Sequence, residues 1–498
     1  MSAVGGPLAA VRRSMGAKGS GPLAVRNFRL LTGGQFASTI GDFCYAVALP
    51  WLVLSSHGGA VLLGTVLACY GVPRTVLIPA GGVLADKVGP RTLMLAADAA
   101  RCVLVAVLAV LAARHTASLV TLGPIAAVIG AGEGLFIPAS YAIMPSLLDG
   151  EQLTAGNALS SAAVQAGSLL GPALGGALVA VTRSSTAAFA VDAASFAISA
   201  LTLLLIPRRP ADGLVPAASA EADGAGAADA AGVAAEATGA GGGTADAGGG
   251  TADAGGGTAD AGGGTADAGG GVLALLRRSR GLQVILVVVI AANLASGGMG
   301  EVALPSLAHA KFGAAGYGAL LACLAAGGII GTLAAGRGGG RRRPALFAAM
   351  VFLPEAFCLG LVPYLGGEPG AAAALFLAGA ANGLGNVVFL TVVQKQVSPA
   401  LLGRVMGAVM LCAFGSFPLS VAVTGLLVHR LGPAPFFPIA GGLVAVAILG
   451  GLTQREFRNF GTVGADVAGD TDVAGALAAA ARRWMRRDTT VRSEKIRG

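Results

Sequence analysis

Apolar residues gather into twelve runs along this chain, at 30–54, 61–84, 92–113, 118–146, 154–181, 186–206, 281–308, 316–336, 344–364, 371–394, 402–429 and 434–453, each ended by charges or by turn-forming Gly and Pro. A hydrocarbon layer of about 30 Å takes about 20 residues of helix to cross, so each run predicts one spanning helix. The edges at 118–146 and 154–181 are expected to run past the lipid. Before the first run the chain holds Arg12, Arg13, Lys18 and Arg26 but no apolar stretch, so no cleavable signal peptide is expected.

Between the sixth and seventh runs, 207–272 breaks the pattern, and GGGTADA occurs there four times from Gly241 to Ala268. Three glycines per unit and no apolar pair at heptad spacing argue against a coiled coil. A coil of that length spans on the order of 45 Å, enough to join two six-helix halves without fixing how they sit. The organisation expected is a short segment 1–29, a first bundle 30–206, a disordered Gly-rich linker 207–272, a second bundle 273–453 and a tail 454–498. The halves echo each other: Ala48-Leu49-Pro50 ends run 1 as Ala303-Leu304-Pro305 ends run 7, and Pro172 in run 5 answers Pro418 in run 11. Two parallel repeats suit a rocking-bundle transporter, whose pathway lies between them.

Composition sharpens this. Of 498 residues, 55% are hydrophobic and only 12% are Asp, Glu, Lys or Arg, about half the roughly 25% charge of an ordinary soluble chain. A soluble fold of this size would lack the charge to cover its surface, which excludes secreted and nucleic-acid-binding classes. The net charge of +8 is therefore a matter of placement. Lys87 and Arg91, the basic residues of 207–280 and 337–343, and the arginines of both ends fall on one side of the predicted spans, whereas Arg114, Arg183, Lys311 and Arg430 fall on the other. Basic residues are retained in cytoplasmic loops, so both termini are expected in the cytoplasm. The six cysteines lie singly inside apolar runs with no metal-ligand spacing and read as small buried hydrophobes. All four histidines fall in the outer loops.

After run 2 the chain reads Gly82-Val83-Leu84-Ala85-Asp86-Lys87-Val88-Gly89-Pro90-Arg91, expected as a tight basic turn. Run 5 carries Gly167-Ser168-Leu169-Leu170-Gly171-Pro172-Ala173-Leu174-Gly175-Gly176, where glycines permit close helix approach and Pro172 bends the helix. The stretch after run 2 resembles the loop 2–3 motif of the major facilitator superfamily, with Pro90 standing where a basic residue is usual. The stretch in run 5 is similar to a helix 5 motif of that superfamily's exporters. Ser38-Thr39-Ile40-Gly41-Asp42, Phe136-Ile137-Pro138-Ala139 and Gly403-Arg404-Val405-Met406-Gly407 are similar to the branch holding macrolide-efflux and siderophore-export proteins. The resemblance implies a twelve-helix, all-α fold of two pseudo-symmetric bundles, with Gly82, Asp86, Lys87, Gly89 and Arg91 forming a gate. There Asp86 would face the N-terminus of helix 11 near Gly403 and Arg404. The Arg that proton-coupled drug antiporters often carry in helix 4 is missing from Ile125–Glu133, so coupling does not carry over from that motif.

An ionised side chain in hydrocarbon costs at least about 3 kcal/mol, so charges inside the runs should face the interior or a pathway. Asp42, Arg74, Asp98, Arg101, Glu133, Asp192, Glu301 and Glu355 are such residues. Asp42, Arg74, Arg101 and Glu133 are expected near mid-depth, while Asp98 and Arg101, three apart, suit a structural ion pair. Asp42, Arg74, Arg101, Glu133, Glu301 and Glu355 are the candidates for coupling or substrate contact. Asp42 and Glu133 are open to either a proton or substrate role or to balancing the two arginines. The excess of acids favours cationic or neutral amphiphilic cargo.

The expected function is export of a small amphiphilic compound by alternating access, in the cell membrane. The lack of a P-loop excludes ATP as direct energy source and makes the proton gradient the default drive. No cofactor, metal or nucleic acid is expected, the lipid bilayer is the surroundings, and a monomer is expected. An importer is the nearest rival. A polytopic membrane transferase is the other, but it would want acids or histidines clustered at one membrane face. The basic stretch Arg482-Arg483-Trp484-Met485-Arg486-Arg487 is read either as a lipid-surface segment or as a solvated tail.

Overall fold

The computed structural model of the chain describes residues 21–207 except 57, 115 and 117, and then 280–335, 344–396 and 399–458. The linker repeats, the Arg482–Arg487 stretch, the basic residues of 337–343 and most of both ends lie outside the described residues. Among the described residues every regular element is helical. Six helices form the first half: α1 Arg26–Ser55, α2 Gly59–Val88, α3 Pro90–Ala113, α4 Leu119–Leu147, α5 Gly150–Thr182 and α6 Thr186–Leu205. In the second half α7 is built from Arg280–Gly298, a π-helical turn Met299–Ala303 and Leu304–Lys311. It is followed by α8 Gly313–Ala335, α9 Pro344–Leu361, α10 Glu368–Gln396, α11 Pro399–Leu431 and α12 Pro433–Thr453.

Eleven of these helices are long and apolar enough to cross a membrane. The exception, α9, has 18 residues, about 27 Å at roughly 1.5 Å per residue, against a layer of about 30 Å. Most helices overrun the apolar runs that predicted them, because a helix end in the polar interface still forms its backbone bonds. Local chemistry sets the ends. Ser118 caps α4, accepting from the Thr121 N–H at 3.4 Å while Thr121 Oγ1 accepts from the Ser118 N–H at 3.0 Å, a reciprocal capping box.

The end of α2 corrects the expected turn. Gly82–Val88 is still helical, and the reversal is confined to Gly89, whose φ of +85° favours glycine. Pro90 then takes the first helical position of α3, where its missing N–H costs nothing. That is the physical reason a proline stands at this point of the motif.

Packing repeats between the halves with a shift of six helices. In the first, α1 packs on α5 and α6, α2 on α4, and α3 on α4 and α6; in the second, α7 packs on α11 and α12, α8 on α10, and α9 on α10 and α12. Across the halves α2 packs on α11 and α5 on α8, again the same pair shifted by six. Valines such as Val76, Val120, Val181 and Val446 are exposed on the outside, as an apolar solvent allows.

One large apolar core draws on both halves, from Leu49, Leu63 and Leu67 to Leu304, Leu320 and Val421. A second core, from Phe28, Leu31 and Met94 to Ile143 and Leu203, contains first-half residues alone and lies at the end of the bundle bearing Gly89. Among the described residues the halves are thus joined by buried apolar contacts toward the opposite end, the one bearing the α1–α2 turn.

Candidate functional site

Glycines determine where α2 and α4 meet. A Cβ on Gly130 would strike the Tyr70 carbonyl, and one on Gly134 would lie 3.1 Å from Arg74 Cα, so α4 can pass α2 in backbone contact only with glycine at both positions. Glu133, between them, is thereby delivered to the face that carries Tyr70 and Arg74 one turn apart. Arg74 Nη2 lies 3.3 Å from Glu133 Oε1, and Tyr70 Oη donates to Glu133 Oε2. The Arg74 guanidinium also stands 5.1 Å from the Phe414 ring and 5.9 Å from that of Tyr70. Phe414 belongs to α11, and its carbonyl accepts from Thr75 Oγ1 at 3.2 Å. The buried ion pair therefore sits directly on the boundary between halves.

Facing it from the second half is the π-helical turn of α7, a distortion that is frequent at functional sites. At its centre Glu301 is 1% exposed, and its Oε1 has no hydrogen-bond partner among the described residues. Glu301 is within electrostatic reach of Arg74 and of Tyr317 on α8. Tyr45 on α1 is equally enclosed, its hydroxyl without a partner among the described residues. It lies within electrostatic reach of Asp192, Glu133, Glu301 and Asp42. Asp42 is half-buried on α1; Asp192, buried on α6, faces it electrostatically and accepts from Ser195 Oγ at 3.4 Å.

The remaining candidates make their own contacts, Arg101 standing beside Gly132 of α4 and within electrostatic reach of Asp192. Arg101 pairs with Asp98 at 2.8 Å, Ser199 Oγ of α6 donates to the other Asp98 oxygen at 2.6 Å, and the guanidinium lies 4.6 Å from the Phe136 ring and 4.5 Å from that of Phe196. This ion pair ties α3 to α4 and α6, as the three-residue spacing suggests, with Arg101 Nε left without a hydrogen-bond partner among the described residues. Glu355 on α9 accepts from Asn382 Nδ2 at 2.8 Å, and Asn382 in turn accepts from Asn386 at 3.0 Å, an amide chain inside the second half.

The loop 2–3 residues divide by task. Asp86, Lys87 and Gly82 stand at the end of α2, Asp86 and Lys87 exposed. Arg91 instead donates to the Leu203 carbonyl at 2.8 Å and the Leu204 carbonyl at 3.1 Å, satisfying the free carbonyls at the end of α6. The expected partner of Asp86, around Gly403 and Arg404, has its side chains outside the described residues. In α5, a Cβ on Gly167 would fall 2.7 Å from Thr39 Cγ2 and one on Gly175 2.9 Å from Cys44 Cα, while Gly171 meets Phe43; all three press on α1. Gly176 presses across the halves: its Cβ would lie 2.7 Å from the Ala314 carbonyl oxygen and 3.0 Å from Gly318 Cα. Gly318 abuts the Pro172 carbonyl in return.

The second cross-half seam matches the first. A Cβ on Gly64 would lie 2.5 Å from the Val421 carbonyl oxygen, and one on Gly425 2.7 Å from that of Ala60. Trp51 of α1 adds a ring contact of 4.7 Å with His309 of α7. These contacts lie on the side of the Arg74 level that bears the α1–α2 turn. The arrangement brings buried charge to a boundary that is sealed on one side of it.

Tyr45, Tyr70, Tyr317, Ser199 and Asn382 are not legible as site residues from the sequence. One signal is available there: the chain has only five tyrosines, and three of them fall inside spans at this boundary.

A family model described as the Major Facilitator Superfamily matches residues 31–420. The chain is 27% identical over 179 residues to an uncharacterized MFS-type transporter of Bacillus subtilis, covering 36% of this chain and 42% of the relative. It is 29% identical over 193 residues to the multidrug efflux pump Tap of Mycolicibacterium fortuitum, covering 37% and 45%. With the staphyloferrin A transporter of Staphylococcus aureus it shares 29% over 171 residues, covering 34% and 43%. In each case the chain spans less than half the length of the relative. Among solved structures, the nucleoside transporter NupG superposes with a TM-score of 0.59 at 13% identity, over 85% of this chain and 98% of that one. The Escherichia coli fucose:proton symporter FucP gives 0.50 at 14%, over 85% and 97%. At such identity the likeness is one of fold.

Proposed function

The chain belongs to the major facilitator superfamily, and on that footing we propose that it is an exporter, moving a small amphiphilic compound out of the cell by alternating access with the proton gradient as drive. The observation that carries the reading is the boundary itself, where Arg74, Glu133 and Glu301 are buried between halves that close on each other at one end through α2–α11 and α5–α8. If the end bearing Lys87 and Arg91 is cytoplasmic, as basic residues favour, this arrangement is the state sealed toward the outside. Export is supported by the helix 5 motif, whose Gly176 forms part of that seal, and by the multidrug efflux pump among the relatives. NupG and FucP share the fold without setting a direction.

Coupling is assigned to Glu133, which meets Arg74 at the boundary, and to Asp42, half-buried on α1. Protonation changes the charge beside Arg74 and so the relative stability of the two states. The test is transport in everted membrane vesicles from cells stripped of their own pumps, with a panel of antibiotics and siderophores. Proton-driven accumulation is expected with the wild type, weakened by Asp42→Asn and by Glu133→Gln. Normal accumulation by both variants would remove the coupling role, and accumulation only in right-side-out vesicles would make the protein an importer.

A further inference from the structure

A hydroxyl of α11 is inserted into the backbone ladder of α7. Ser420 Oγ donates to the Leu294 carbonyl at 2.5 Å and accepts from the Gly298 N–H at 2.6 Å. Leu294 and Gly298 are the pair that one α-helical turn joins by its own i, i+4 bond. A side chain entering that ladder is a known cause of helix distortion, and the π-helical turn Met299–Ala303, which carries Glu301, begins at the next residue. Ser420 is 1% exposed. Only glycine allows this approach: a Cβ on Gly298 would lie 2.9 Å from the Ser420 carbonyl oxygen and would strike the Thr424 side chain. The corresponding helix of the first half differs. There α1 runs Arg26–Ser55 with no π-helical turn, and Cys44 Sγ donates to the Gly171 carbonyl of α5 at 3.4 Å.

The same stretch of α11 touches the other half. Pro418 has no N–H to give the Phe414 carbonyl four residues back, and Thr75 Oγ1 of α2 reaches that carbonyl at 3.2 Å instead. The Phe417 ring lies between α2 and α7: a Cβ on Gly71 would be 2.7 Å from its Cδ1, and one on Gly297 would be 3.6 Å from its Cδ2. Hydrogen bonds balance whether the Ser420 hydroxyl is seated or withdrawn. Seated, it donates to Leu294 and accepts from Gly298. Withdrawn, it would donate to a carbonyl of its own helix, as Ser416 does to Ala413 at 3.0 Å, while Leu294 and Gly298 bond each other. Two arrangements with the same bond count differ little in hydrogen-bond free energy, so a small bias from α2 can select between them.

We propose that Ser420 is a positioning residue, a hydroxyl wedge that holds α7 open at the turn presenting Glu301 and whose withdrawal lets α7 close into a second shape. The contacts of Phe414 and Phe417 with α2 set which shape is occupied. The proposal rests on the transport reading and deepens it, naming the element of the second half that answers movement of the first.

The test is the distance between spin labels at exposed Val287 and exposed Lys311, on either side of the turn, in the full chain with its cysteines replaced, in lipid nanodiscs. The two positions are 24 residues apart, about 36 Å along a helix at roughly 1.5 Å per residue. Two distances are expected in the wild type and one in Ser420→Ala. Ser416→Ala, whose hydroxyl serves its own helix, should keep both. Thr75→Val should change the proportion of the two without removing either. A single distance in the wild type, both distances kept in Ser420→Ala, one lost in Ser416→Ala, or an unchanged proportion in Thr75→Val would overturn the proposal. If Ser420→Ala fails to fold, the wild type and Thr75→Val decide. Vesicle export alongside any of those contrary results would leave the transport reading standing. Two α7 distances that answer to Ser420, without transport in either vesicle orientation, would do the reverse.

Discussion

Gly176 and Gly318, one from each half, approach so closely that a Cβ on Gly176 would lie 3.0 Å from Gly318 Cα and 2.7 Å from the Ala314 carbonyl oxygen. Both obstacles are backbone and cannot swing aside. Gly176→Ala should therefore cost the sealed state about 1–3 kcal/mol, the usual range for overpacking, and shift the protein toward the state open at that end. The check is the labelling rate of a cysteine placed at buried Leu320 by a membrane-impermeant maleimide, which should rise in Gly176→Ala. An unchanged rate would show that the seam does not bear on closure.

Arg74 and Glu133 are both buried, so removing one partner strands the other. Arg74→Ala should lower stability by about 3–5 kcal/mol, read as a fall in the thermal midpoint of the purified protein. Glu133→Gln keeps an acceptor for Tyr70 and should cost less. The double variant Arg74→Met with Glu133→Met should recover much of the loss, while proton-driven transport falls because both boundary charges are gone.

The Asp98–Arg101 pair is enclosed by Ser199, Phe136 and Phe196 of its own half, which assigns it to structure. Ser199→Ala should cost about 1 kcal/mol, a typical hydrogen bond. The ranking of transported compounds should stay unchanged. Altered selectivity in this variant would move Arg101 back among the substrate residues.

Asp86 is exposed at the end of α2, so Asp86→Asn should leave stability within about 0.5 kcal/mol of wild type, with the thermal midpoint nearly unchanged. Transport should nevertheless fall, because closure at that end loses its carboxylate. A large stability change would mean that Asp86 supports the resting fold instead.

The spans are readable from the sequence because a helix in lipid needs an uninterrupted apolar run, a constraint written into consecutive residues. What the chain does not write consecutively is not readable. Arg74 meets Glu133 only because Gly130 and Gly134 let α4 slide against α2, a fact of two distant segments. The sequence suggests that Asp42, Arg74, Arg101 and Glu133 meet at mid-depth; the structure joins Arg74 to Glu133 and gives Arg101 to Asp98. Arg91 is expected at the gate through its motif, yet its guanidinium serves the end of α6, since free carbonyls there attract the nearest donor. The π-helical turn that carries Glu301 leaves no trace in an apolar run, because one extra residue in a turn does not change hydropathy.

The central claim, that the halves rock about a buried boundary, is tested most directly by paired spin-label distances in a cysteine-free protein in nanodiscs. One pair, at Arg183 and Tyr364, reports the end sealed here, and another, at Val88 and Gln454, reports the opposite end. Shifting pH or adding a transported compound should lengthen the first distance while shortening the second. Distances that stay fixed, or that change in the same direction at both ends, would contradict the account.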